Sequence, residues 1–178
     1  MHPEQLEPPR PLSRLVPFQP HWAADVVTWV RDDQELYWLA PKSRPPLTAA
    51  EVLRWHEPDH DPFSLLDAQT GCPVAYGELN RLAGRRREYW LGHLIVDPAR
   101  RGQGLGIALT RALLEEAFER RGAWRVTLVV FPENRRALAC YRAAGLREDG
   151  HEWHRFPVRG REELLVRLAV RADGWAGA

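Results

Sequence analysis

Only two cysteines, Cys72 and Cys140, occur in the 178 residues of this chain, far apart in sequence. That excludes a disulfide framework, and with no signal-like segment the expectation is a reducing cytoplasm. No apolar run is long enough to cross a bilayer. Neither sign of charge dominates: 25 basic residues against 24 acidic ones leave no field to gather nucleic acid or an anionic membrane. Internal repeats are lacking, and no break in composition marks a second domain. The prediction is one domain over 12–172, between a proline-rich flexible tail at 1–11 and a flexible C-terminus at 173–178. Apolar residues make up 44% and charged residues 28%, the composition of a globular protein with a real core.

The pattern along the chain alternates. "SRLVPF" (13–18) reads as a strand, and 21–31 as a helix carrying Trp22, Val26, Val27, Trp29 and Val30 near helical spacing. "QELYWLAPKSRPP" reads as an irregular link with exposed-looking aromatics. Thr48 and Glu51 form a capping box for a second helix. "HEPDHDP" (56–62) holds two histidines and three carboxylates. Prolines interrupt it and no second ligand cluster exists, so it reads as a solvated loop rather than a metal site. "FSLLDAQ" and "PVAYGELNRL" flank the turn signal "TGC", and "EYWLGHLIV" (88–96) is the next strand. A helix spans about 105–121 and ends at Gly122. "WRVTLVVF" has little alternation, as in a strand covered on both faces. A short helix over 135–144 and a final strand pair around Val158–Gly160 complete the order.

Between strand 88–96 and the following helix stands "DPARRGQGLG", with glycines at 102, 104 and 106. Glycine lets the backbone approach a ligand closely. The first turn of a helix offers unpartnered N–H groups at the positive end of its dipole, a fit for pyrophosphate. Arg100 and Arg101 would add charge. The loop is no Walker sequence, because Ile107 and Ala108 stand where lysine and a hydroxyl residue belong, and no dinucleotide fingerprint, because Ile107 takes the place of its third glycine.

The spacing Arg101-x-x-Gly104-x-Gly106 closely resembles the central motif of the GNAT superfamily of N-acetyltransferases. "FPENRRALACYRAAGL" is similar to that family's second motif. The resemblance covers about 88–148 with specific motifs and 13–170 more loosely. It implies an α/β fold, a twisted mixed, mostly antiparallel sheet of about seven strands with helices on both faces. It also implies acetyl-CoA as acyl donor, no metal, and a small-molecule primary amine as acceptor. On this basis Leu94, Ile95 and Val96 match the strand that pairs with the pantetheine arm. The pyrophosphate matches the amides of Arg101, Gly102, Gln103, Gly104, Leu105, Gly106 and Ile107.

Asn134 matches the asparagine near the cofactor arm; by itself it also reads as an N-cap. Tyr141 matches the general acid that protonates the leaving thiolate, or else is a core tyrosine. An ammonium must lose a proton before it attacks, so a base is needed. Some peptide-directed members carry a glutamate on the next strand, but "LVVF" has none. Glu78, in "AYGELN", is the candidate base, an inward carboxylate whose pKa burial would raise, unless it faces solvent. His93 is the alternative base, relaying through water, or else a hydrogen-bonded core histidine. Cys140 adjoins Tyr141 but faces elsewhere on its helix, so no acyl-enzyme is expected. The resemblance sets Tyr37 and Trp38, and less directly Trp153 and His154, beside the acceptor pocket. The alternatives are a peptide or ribosomal-protein N-terminal acetyltransferase and a non-catalytic acyl-CoA-binding module. Nucleic-acid and membrane partners are not expected, and the protein is read as a monomer or homodimer.

Overall fold

The computed structural model describes residues 12–177; the tail expected at 1–11 lies outside them. One seven-stranded sheet organises the chain. Its strands are β1 (Ser13–Pro17), β2 (His60–Asp67), β3 (Pro73–Arg81), β4 (Glu88–Val96), β5 (Arg125–Val130), β6 (Arg147–Phe156) and β7 (Arg161–Arg171), in the spatial order β1-β2-β3-β4-β5-β7-β6. Every neighbouring pair is antiparallel except β4–β5. A parallel pair needs a crossover, and α4 (Leu105–Glu115) supplies it.

Side-chain alternation along the strands sorts the core into two layers. Leu109, Leu113 and Leu114 of α4 bury against Ala75, Leu79, Leu91, Val126 and Leu128 on one face. Leu138 of α5 (Arg135–Ala143) joins that layer. On the other face Tyr76 and Ile95 pack under Val26 and Trp29 of α1 (Ala23–Trp29), Leu36 of α2 (Asp33–Leu39) and Val52 of α3 (Ala49–Arg54). Helices therefore do cover both faces.

The elements depart from the sequence reading in four places. Helix 21–31 is a tight turn at Pro20–Trp22 followed by α1. The expected link at 34–46 contains α2, whose N-cap Asp32 accepts a hydrogen bond from the Glu35 amide. Its Tyr37 is buried on Phe131 and Phe156 rather than exposed. Helix 105–121 keeps α-geometry to Glu115, then widens, with the Arg121 amide bonding the Glu116 carbonyl five residues back. Strand β2 begins at His60, inside the expected loop. Near the other end, Ala172–Gly174 make a helical turn and Trp175 packs on Phe118 with ring centroids 5.8 Å apart.

Candidate active site

Strands β4 and β5 pair only at Glu88–Arg125, Tyr89–Val126 and Trp90–Thr127. Beyond Trp90 they part, so the β5-facing backbone groups of the rest of β4, those of Leu94 and Val96 among them, have no strand partner, whereas Ile95 turns its backbone groups to Tyr76 of β3. A cleft of about 1550 Å³ opens there. It reaches from Gly102, Gly104, Gly106, Asn134 and Tyr141 to Trp55, Trp90, His93 and His154.

Gly104 caps α4 in the left-handed region (φ 77°), and Gly102 shares that conformation (φ 80°). A Cβ at either would meet nothing within 4 Å, so both face open space; one at Gly106 would lie 3.0 Å from the Cys140 sulfur. The first amides of α4 have no acceptor within the helix. No turn or loop carbonyl among the described residues receives the amides of 102–107. The residues present thus fit a diphosphate by their backbone.

The two arginines do not add the free charge expected of them. The Arg100 guanidinium donates to Asp67 (2.7 Å) and Gln103 (3.2 Å). Arg101 turns away from the loop: Nε donates to the Val96 carbonyl (3.1 Å), Nη1 to Glu35 (2.6 Å) and Nη2 to the Trp29 carbonyl (3.2 Å). It therefore ties the end of β4 to α1 and α2. Burial would raise the pKa of Glu35, but hydrogen bonds from Arg31 and Arg101 outweigh it and lower it from 4.5 to about 2. A carboxyl depressed in the folded state stabilises fully above its unfolded pKa and loses that contribution as pH falls through the folded one. Thermal melts of Glu35→Gln between pH 4.5 and about 2 should decline less steeply with acid than those of the parent; parallel curves would discount the tie.

Glu78 is fully buried, as expected of an inward carboxylate, but its surroundings reverse the expected pKa direction. Tyr76 (2.6 Å), Asn80 (3.0 Å) and His93 (2.9 Å) all bond it, and His60 Nδ1 stands 3.7 Å away. Burial alone would raise the carboxyl; hydrogen bonding and charge from His93, then Tyr76 and Asn80, hold it below its ordinary value. Glu78 does not line the cleft; His93 does. A bulge brings this about. Tyr76 faces Ile95 while Glu78 faces Gly92, so β4 carries one extra residue there. His93 takes φ 48°, a conformation uncommon for a side-chain-bearing residue. Its ring stacks on Trp55 at 4.3 Å. A carboxylate can only accept, so Nδ1 is the donor in this hydrogen bond. Nε2 has no protein partner among the described residues.

Tyr141 packs half-buried beside the α4 layer. Burial, and secondarily Cys140, push its phenol above 10; no protein group among the described residues bonds its hydroxyl. Asn134 caps α5 through the Ala137 amide (3.2 Å) and also lines the cleft. The Cys140 sulfur sits beside Gly106, and burial raises its thiol. Trp38 and His154 line the cleft, whereas Trp153 is 70% exposed and does not. Tyr76, Asn80 and Trp55 were not singled out from sequence, although Tyr76-x-Glu78-x-Asn80 shares one strand face by simple alternation.

The profile of the Acetyltransferase (GNAT) family matches residues 23–146. The chain is 30% identical over 107 residues to the thialysine N-epsilon-acetyltransferase of Bos taurus, covering 58% of this chain and 61% of that one. It is 37% identical over 99 residues to the N-alpha-acetyltransferase RimI of Mycobacterium tuberculosis, covering 54% and 60%. Matches of this kind span from 25% to 61% of the relatives' own length. The crystal structure of spermidine N-acetyltransferase from Vibrio cholerae in complex with CoA and spermine superposes with a TM-score of 0.75 at 19% identity, over 92% of this chain and 97% of that one. That likeness is one of fold.

Proposed function

The chain belongs to the acetyltransferase (GNAT) family, and from that footing we propose that it transfers an acetyl group from acetyl-CoA to the primary amine of a small molecule by direct attack. The carrying observation is the parting of β4 from β5 directly above the glycine loop. The amides of 102–107 would hold the diphosphate, and the stretch Leu94–Val96, where β4 has left β5, would lie along the pantetheine arm. Acetyl-CoA supplies an activated acyl group as a thioester.

The chain's own residues then divide two proton transfers between them. His93 Nε2 takes the proton that the amine nitrogen loses as its bond to the acyl carbon forms. Tyr141 gives its phenolic proton to the sulfur as the carbon–sulfur bond breaks. Glu78, out of reach of the substrate, is a positioning residue: it fixes the His93 tautomer and offsets the positive charge the ring acquires. No residue need be acylated. Placement of both reactants contributes the remaining rate.

A thiol-release assay with acetyl-CoA and a panel of amines and short peptides tests the reading. The peptide arm covers N-terminal acetylation, which the RimI likeness favours and the lack of a carboxylate in Leu128–Phe131 disfavours. Release with no acceptor in the panel would leave only acyl-CoA binding. The loop has its own test. A side chain at Gly104 pays about 1–2 kcal/mol for the left-handed conformation and enters the space assigned to the diphosphate. Gly104→Val should weaken CoA at least about tenfold by calorimetry; unchanged affinity would remove the loop from the binding site.

A further inference from the structure

The floor of the cleft on the His93 side is crossed by an unbroken chain of alternating charges. It runs Arg85–Glu88–Arg125–Asp149–Arg167–Glu152–His154. Arg85 and Arg125 lie 3.6 and 3.4 Å from the two-sided Glu88. Arg125 also pairs with Asp149. Arg167 reaches Asp149 at 3.3 Å and Glu152 at 2.6 Å. His154 stands 3.1 Å from the other oxygen of Glu152. Arg85, Arg125, Glu152, His154 and Arg167 line the cleft, with Glu88 and Asp149 bridging them. Strand alternation explains the row: Arg125 on β5, Arg167 on β7 and Glu152 on β6 all project to the face opposite α4.

Each carboxylate of this row is therefore already held by two bases. A ligand with several ammonium groups would have to displace these arginines before it could pair with the carboxylates of the row. The rest of the lining includes Trp38, Trp55 and Trp90, together with Glu57, two residues after Trp55, a carboxylate without an ion pair among the described residues; aromatic rings beside one available carboxylate suit an apolar body carrying one cationic group. We propose that the acceptor is a singly charged amine on an apolar, aromatic-compatible body, and that Arg125 and Arg167 exclude polycations by occupying the carboxylates such molecules would need. This rests on the acetyl-transfer reading and narrows its substrate class.

The test compares kcat/KM for 2-phenylethylamine, spermidine and kanamycin with acetyl-CoA. Phenylethylamine should exceed both polycations at least about tenfold. Arg167→Gln removes one of the two partners from both Glu152 and Asp149 and should raise spermidine relative to phenylethylamine by about fivefold or more; Arg125→Gln, which removes one partner from Glu88 and Asp149, serves if the first variant does not fold. Preference for either polycation, or a ratio unmoved in both variants, overturns the proposal. So does absence of turnover with all three amines while CoA binds, which leaves the cofactor site standing. Loss of CoA binding in the parent protein would instead strike the acetyl-transfer reading itself.

Discussion

His93→Gln is expected to lower kcat by about two to three orders of magnitude, the span general-base catalysis commonly supplies. The affinity for CoA should stay within about twofold, because the imidazole lies on the far side of β4 from the glycine loop. The titratable groups near the ring are Glu78 on β3, His60 on β2, which contacts Glu78, and His56, just past α3. Glu78, held below its ordinary value, stays anionic near neutrality. Glu78→Gln keeps a similar shape but removes the charge, and a smaller fall of about tenfold to a hundredfold in kcat should follow. Full turnover by His93→Gln would take the ring out of the chemistry.

Tyr141→Phe removes one oxygen that has no hydrogen-bond partner among the described residues. A fall of about ten- to a hundredfold in kcat at saturating acetyl-CoA is expected, with unchanged CoA binding by calorimetry. A phenol raised by burial remains a proton donor above its ordinary value of 10. The parent's rate should accordingly show no decline from its ionisation below that pH. The decisive comparison is made with an amine and with a thioester whose thiol is a much better leaving group. Help from an acid matters less for such a thiol, so the two enzymes should converge. A deficit of equal size with both thioesters would make Tyr141 a packing residue.

The sheet, the crossover helix and the glycine loop were legible because each repeats a local pattern. A turn signal and short apolar runs mark β3 and β4, period 3.6 marks α4, and glycine marks its start. Helix α2 was not legible. Asp32 and Glu35 carry a cap signal, but seven residues are too few for periodicity, and the burial of Leu36 and Tyr37 comes from distant strands. The Arg101 side chain was misjudged for a related reason. Its position in the motif is local, whereas its partners, Trp29 and Glu35, lie on elements remote in sequence. Glu78 shows the same limit. Its burial could be guessed from an apolar strand, but the pKa direction depends on His93, which only a bulge brings to that face. The charge row is not legible in sequence because its seven residues are spread over the turn before β4 and over β4, β5, β6 and β7.

Three residue pairs join β4 to β5, whereas β3–β4 and β5–β7 are joined by six each. The molecule thus has a short seam between two well-knit halves, bridged otherwise by α4 and by Tyr37 of α2 against Phe131 and Phe156. A guest wedged into that seam acts as a rivet. Its dissociation constant then measures two things at once: how well the guest is gripped, and how firmly the halves resist unzipping.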